Sequence, residues 1–185
     1  MNDLNKENPI AESYKKILVL GLDNSGKTSI VLNLVGRINL LNYISINPTV
    51  GADIVSHKLN NSNYNIWDLG GQASFREEYL ENIDEYLRGA HKIVYVIDIQ
   101  DKERYDVSLE YLKNFVDYIQ ENQISLDFTV FLHKKDPDLK EIHPEITTEV
   151  IDHLIEQVKK VLPENFYYEI FTSSIYTVFD KTIVD

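Results

Sequence analysis

A run of eight residues, Gly21-Leu22-Asp23-Asn24-Ser25-Gly26-Lys27-Thr28, follows directly on the apolar stretch Ile17-Leu18-Val19-Leu20. The spacing G-x-x-x-x-G-K-[ST] between a strand and a helix is that of a phosphate-cradling loop. Glycines at both ends let the backbone curl so that successive N–H groups point inward at phosphate oxygens, and the helix that follows adds its positive end. The backbone from Asp23 through Asn24, Ser25, Gly26, Lys27, Thr28 and Ser29 is therefore expected to hold the phosphates of a nucleotide. Lys27 is expected to reach the β- and γ-phosphates. Thr28 is expected to offer its hydroxyl to Mg²⁺, an ion that prefers a few oxygen ligands plus substrate phosphates to a dedicated protein cage.

The rest of the chain alternates strand-like and helix-like patterns. Ile30, Val31, Leu34 and Val35 have helical spacing and stop at Gly36. Asn60-Asn61-Ser62-Asn63 separates the strand-like runs Ala52 to Leu59 and Tyr64 to Asp68, predicting a hairpin and hence one antiparallel edge. Phe75, Tyr79, Ile83 and Tyr86/Leu87 predict one continuous helix ending at Gly89, its other face filled by Glu77, Glu78, Glu81, Asp84 and Glu85. A strand over Ile93 to Ile97, a helix over Leu109 to Ile119, a strand over Phe128 to Leu132, a helix over Val150 to Leu162 closed by Pro163, and a strand over Tyr167 to Phe171 complete the series. Such alternation indicates βαβ units and an α/β, mostly parallel, doubly wound sheet.

Composition narrows the function. With 185 residues and 43% apolar content the chain suits one domain with a sizeable core. We read residues 1–15 as a polar leading segment and 16–185 as that domain. A formal charge of −12 repels nucleic acid and anionic lipid, so neither is an expected partner. The absence of cysteine excludes disulfides and prenyl or palmitoyl anchors. No signal peptide, membrane span or myristoylation glycine is visible, so the expectation is a soluble, cytoplasmic protein without a membrane anchor.

In doubly wound sheets, ligands sit beyond the carboxyl ends of the strands. Three further clusters fall at such ends or beside them. Asp68-Leu69-Gly70-Gly71-Gln72 begins at a strand end, where Asp68 can support Mg²⁺, an N–H from Gly71 can sense a γ-phosphate and Gln72 can orient an attacking water. In Asn47-Pro48-Thr49-Val50-Gly51, Thr49 can bind Mg²⁺ through its hydroxyl and γ-phosphate through its N–H. His133-Lys134-Lys135-Asp136 places Asp136 to accept from the two N–H donors on a guanine edge, a paired contact adenine cannot make. Lys134 can lie along the base, and the backbone of Ser174-Ile175 can donate to the guanine carbonyl.

Together these residues resemble the Ras-superfamily GTPases over roughly Lys16 to Tyr176. Gly21 to Thr28, Pro48-Thr49 and Trp67 to Gln72 are similar to the ADP-ribosylation-factor-like branch. His133 to Asp136 and Thr172-Ser173-Ser174-Ile175-Tyr176 are more similar to Rag GTPases, which also carry histidine where Ras relatives have asparagine. The resemblance implies a P-loop G domain with a six-stranded sheet, helices on both faces and one antiparallel edge strand. It implies GTP or GDP bound with Mg²⁺, and catalysis through Gln72, Lys27 and Thr49. Switch loops would lie near Ile44 to Gly51 and Gly70 to Arg88, recognised by regulators and effectors, and a dimer of G domains is compatible with it. The segment after Tyr176 is short for the last helix of such a domain.

No arginine occurs between Arg37 and Arg76, so no internal arginine finger is evident beside Thr49. Because a finger is worth about 10³ to 10⁵ in kcat, slow intrinsic turnover and dependence on an activating partner are expected. Two other readings stand beside the switch. One is a scaffold that keeps its nucleotide locked in place, against which Gln72 and Thr49 argue. The other is a small-molecule kinase, which the scarcity of arginine in the second half disfavours.

Overall fold

The computed structural model describes residues 14–36, 46–60, 62–163 and 166–176. Six strands form one mixed sheet: β1 (Tyr14–Gly21), β2 (Ala52–Leu59), β3 (Ser62–Leu69), β4 (Ala90–Asp98), β5 (Asp127–His133) and β6 (Tyr168–Thr172). Their order is β2-β3-β1-β4-β5-β6, with β2 antiparallel to β3 and every other neighbour parallel. The helices are α1 (Lys27–Leu34), α2 (Ala73–Glu81), α3 (Ile83–Leu87), α4 (Tyr105–Glu121), α5 (Leu139–Ile142) and α6 (Thr148–Val161).

The period-two alternation of strand side chains sorts the core into two layers. Leu18, Leu20, Ile93, Tyr95, Ile97, Phe128, Val130 and Leu132 share one buried cluster with Tyr79, Ile83, Leu112, Phe115, Leu154 and Val158 of the helices. Val19, Ile66, Val94 and Val96 point the other way and meet Ile30 and Val31 of α1. At about 1.5–3 kcal/mol for each fully buried Leu or Ile, these layers fix the strands whose ends carry the polar clusters. Helices thus lie on both faces, as the sequence predicts.

Two local details differ from the sequence reading. The hairpin turn is tighter than the asparagine-rich run suggests: β3 begins at Ser62, which pairs with Leu59, while Asn60 adopts the left-handed conformation at φ 53. The helix predicted from Phe75 to Leu87 breaks at Asn82. There the Asn82 backbone N–H donates to Glu78 O at 3.1 Å, and its side-chain Nδ2 donates to the same oxygen at 2.9 Å. An asparagine that satisfies a backbone carbonyl with its own side chain competes with continued helix. The acidic side chains of α2 and α3 are exposed. Of the expected leading segment 1–15, residues 1–13 lie outside the described residues and Tyr14 and Lys15 open β1, and the ending after Tyr176 also lies outside the described residues.

Candidate functional site

The loop between β1 and α1 sits at the carboxyl end of the sheet's central strands. Gly26 takes φ 92 at the head of α1, and a Cβ there would lie 2.4 Å from His133 Cδ2, so only glycine fits both the turn and the approach. A cleft of about 260 Å³ opens over the loop, lined by residues Asp23 to Ser29 except Ser25, by Asn47 to Thr49, and by Gly71 and Gln72.

Lys27 is 5% exposed and donates from Nζ to Leu22 O at 2.8 Å. Burial pushes its ammonium down to about 8, with the Asp68 and Asp23 carboxylates pulling the other way. Asp68 is buried as well. Its Oδ2 accepts from Thr28 Oγ1 at 2.5 Å and from Thr49 Oγ1 at 3.3 Å, and the two hydroxyl oxygens lie 3.1 Å apart. Its Oδ1 is buried without a hydrogen-bond partner among the described residues, as is Ser25 Oγ. Burial raises the Asp68 carboxyl above the usual range, against the hydrogen bond from Thr28 and the charge of Lys27. Two hydroxyls and one carboxylate with an orphaned oxygen are the donor set that suits Mg²⁺, which takes few protein oxygens and completes its shell with water and phosphate. The residues fit the ion.

Gly71 is pressed onto the loop: a Cβ on it would lie 2.1 Å from Asp23 N and 2.2 Å from Leu22 C. The contact seen here runs through the Gly71 carbonyl, which accepts from Asp23 N at 3.0 Å and from Arg76 Nε at 3.0 Å. Gly70 N donates to Gly51 O at 2.8 Å, and Tyr79 Oη donates to the same oxygen at 2.8 Å, joining the Thr49 loop to the Gln72 loop. Gln72 stands at the N-terminal cap position of α2 without a capping side-chain hydrogen bond and stays exposed at the cleft.

The second cluster ends β5. The His133 ring is buried, lies against Gly26 and shares a 2.9 Å hydrogen bond with Ser173 Oγ. Burial holds its pKa below the ordinary imidazole value, with the Lys134 charge adding to the effect. Lys134 pairs with Asp98 at 2.6 Å. Asp136 accepts from Gln100 Nε2 at 3.1 Å and from Ser174 Oγ, while Ile175 packs against the edge of the α1-side core. The structure therefore gathers the phosphate loop, Thr49, the Asp68 to Gln72 run and the His133 to Asp136 run at one end of the sheet.

Two participants escaped the sequence reading. Arg104 reaches the phosphate loop from the turn before α4, pairing with Asp23 Oδ1 at 2.9 Å while its Nε donates to Asp101 Oδ2 at 2.5 Å. Gln100 bridges Lys134 O and Asp136. Neither sits in a local motif; only the folded sheet brings them to the site.

A lysine-bearing phosphate loop facing a strand-end aspartate and two threonine hydroxyls, on a six-stranded mixed sheet, defines a P-loop G protein of the Ras superfamily. The family model described as the Gtr1/RagA G protein conserved region matches residues 16–184, and the chain belongs to that family. It is also similar to ADP-ribosylation factor 3 of Arabidopsis thaliana, at 37% identity over 51% of this chain and 48% of that one. Similarity to human ADP-ribosylation factor-like protein 5A is 28% over 65% of this chain and 62% of the relative. The chain thus spans about half to three fifths of the length of these curated relatives. The Arl6 BBS3 small GTPase of Trypanosoma brucei, solved with the nucleotide analogue GppNp, shares the fold at TM-score 0.65 and 21% identity, over 88% of this chain and 87% of that one.

Proposed function

We propose that this chain is a GTP-binding and GTP-hydrolysing switch, built as a single G domain from Lys16 onward. The observation that carries the proposal is the convergence of a buried Lys27 ammonium, the Thr28 and Thr49 hydroxyls and the half-satisfied Asp68 carboxylate on one cleft. The loop amides from Asp23 to Ser29 and the Lys27 ammonium bind the phosphates. Thr28 and Thr49 hold Mg²⁺, and Asp68 supports it; when bound, the ion neutralises charge on the phosphate oxygens. Gln72 orients the water that attacks the γ-phosphorus, and the Gly71 N–H turns to the γ-phosphate when GTP is present. Asp136, Lys134, His133, Ser174 and Ile175 choose and hold guanine.

In the described arrangement Gly71 bonds the loop through its carbonyl. Reorienting it toward a phosphate breaks two hydrogen bonds, which gives the Gln72 loop two discrete positions for regulators and effectors to read. Among the described residues, Arg104 near the loop is engaged with Asp23 and Asp101, and in this arrangement Arg76 is engaged with Gly71. Turnover is therefore slow without an activating partner that supplies a guanidinium.

The test is to identify the nucleotide that co-purifies with the protein, to compete GTP against ATP in Mg²⁺, and to follow single-turnover hydrolysis. Guanine nucleotide is expected, with ATP failing to displace it. Gln72→Leu is expected to keep GTP while lowering the single-turnover rate on the order of 10²-fold, the cost of a misplaced water. Retention of neither GDP nor GTP at micromolar protein would end the proposal.

A further inference from the structure

Gln100 lies two residues beyond β4 and touches three parts of the base end at once. Its backbone N–H donates to Asp98 Oδ1 at 2.9 Å, and Asp98 Oδ2 pairs with Lys134. Its side-chain Nε2 donates to Lys134 O at 2.9 Å and to Asp136 Oδ2 at 3.1 Å. A carboxamide nitrogen carries two hydrogens, and here one goes to a carbonyl and the other to a carboxylate. The carbonyl belongs to a residue at φ 65, left-handed for a side chain as long as lysine, so it needs holding. The opposite oxygen of Asp136 accepts from Ser174 Oγ. The carboxylate is thus gripped at both oxygens, from the β4 end by Gln100 and from the segment after β6 by Ser174.

We propose that Gln100 is a positioning residue that sets the selectivity of this site for guanine over hypoxanthine; the inference rests on Asp136 being the base acceptor. Guanine offers two parallel donors, the ring N1–H and the 2-amino group, and they need both carboxylate oxygens in one plane. Each oxygen keeps a free lone pair after accepting from Gln100 or Ser174, so the grip leaves room for the base. The terminal torsion of an aspartate is broad, so a carboxylate released on one side rotates. It then satisfies one base donor and loses the second. Hypoxanthine presents only the N1–H, so it forfeits nothing by that rotation.

The experiment measures GDP and IDP affinities of the full chain, which avoids turnover, for wild type, Gln100→Met and Gln100→Glu. Methionine keeps the length and removes the donor; glutamate keeps the shape and sets a like charge beside Asp136. Wild type is expected to prefer GDP. Gln100→Met is expected to lower the GDP:IDP preference about tenfold while IDP affinity stays within about twofold, as loss of one charge-assisted contact requires. Gln100→Glu is expected to lower it further. Equal weakening of both nucleotides, or an unchanged ratio, would overturn the proposal by reducing Gln100 to a structural brace. Ser174→Ala frees the other oxygen and gives a second route should the Gln100 variants not fold: the same fall in ratio is expected, and an unchanged ratio counts against the two-sided grip. A wild-type chain that binds GDP and IDP alike removes the role of Asp136 and this proposal together. That outcome is told apart from failure of Gln100 alone because it shows before any substitution.

Discussion

The two ends of the candidate site, the phosphate end at the β1–α1 loop and the base end proposed at His133 to Asp136, are built to opposite rules. At the phosphate end Lys27 is buried with a carbonyl as its hydrogen-bond acceptor, while among the described residues Asp68 Oδ1 and Ser25 Oγ have no partner. At the base end Lys134 has Asp98, Asp136 has Gln100 and Ser174, and His133 has Ser173. Burying charge without full compensation costs stability, whereas a satisfied network rigidifies. The difference teaches that one end leaves buried polar groups uncompensated, as a site proposed for phosphate and Mg²⁺ would, while the other is already held in one arrangement.

The strongest way to break this contrast is Lys27→Met. Nucleotide retention is expected to fall on the order of 10²-fold or more, since a charged contact to phosphate is lost. The nucleotide-free protein is expected to become more stable, on the order of 3 kcal/mol, because a lysine lowered from 10.5 to about 8 carries that much cost when protonated. Between those two values the unfolded chain binds the extra proton, so wild-type stability rises with pH there and the full cost applies below 8. Urea unfolding from pH 7 to 10.5 should show that rise in wild type and not in the variant. A Lys27→Met protein no more stable than wild type at neutral pH would mean the phosphate end stores nothing.

Gly71→Ala probes the cover on that end. Its Cβ would stand within 2.5 Å of three backbone atoms of Leu22 and Asp23. Overpacking against backbone is expected to cost about 1–3 kcal/mol in urea unfolding at unchanged m. A silent alanine would show that the cover does not close on the loop.

His133→Asn sharpens the base end with the smallest effect. The folded histidine binds its proton less readily than the unfolded one, so its contribution is present above about 6.5 and lost as pH falls toward the lowered value. The loss amounts to at most about 1.4 kcal/mol per pH unit for one proton. Thermal or urea unfolding between pH 7 and 5 should show that acid slope in wild type and a flatter one in the variant.

Much of this was legible because local punctuation agreed with long-range pattern. The β1 apolar run, the two glycines and the lysine specify strand, turn and helix within a dozen residues, and the asparagines between β2 and β3 mark the hairpin. The break at Asn82 was not legible, because the apolar periodicity from Tyr79 to Ile83 continues across it while a side-chain hydrogen bond decides the backbone. Arg104 and Gln100 were invisible for a different reason. Their partners Asp23 and Asp136 lie 81 and 36 residues away in sequence, and nothing near them repeats or is spaced.

The hairpin has a mechanical consequence. Thr49 leads into β2, Gly70 follows β3, and the register runs without interruption from Ala52 opposite Leu69 to Leu59 opposite Ser62. A ribbon so tightly folded has no slack to absorb a tug at one strap. Drawing Thr49 toward or away from the helix that carries Thr28 drags the glycine pair along with it, so the two arms of the cleft travel as a single lever.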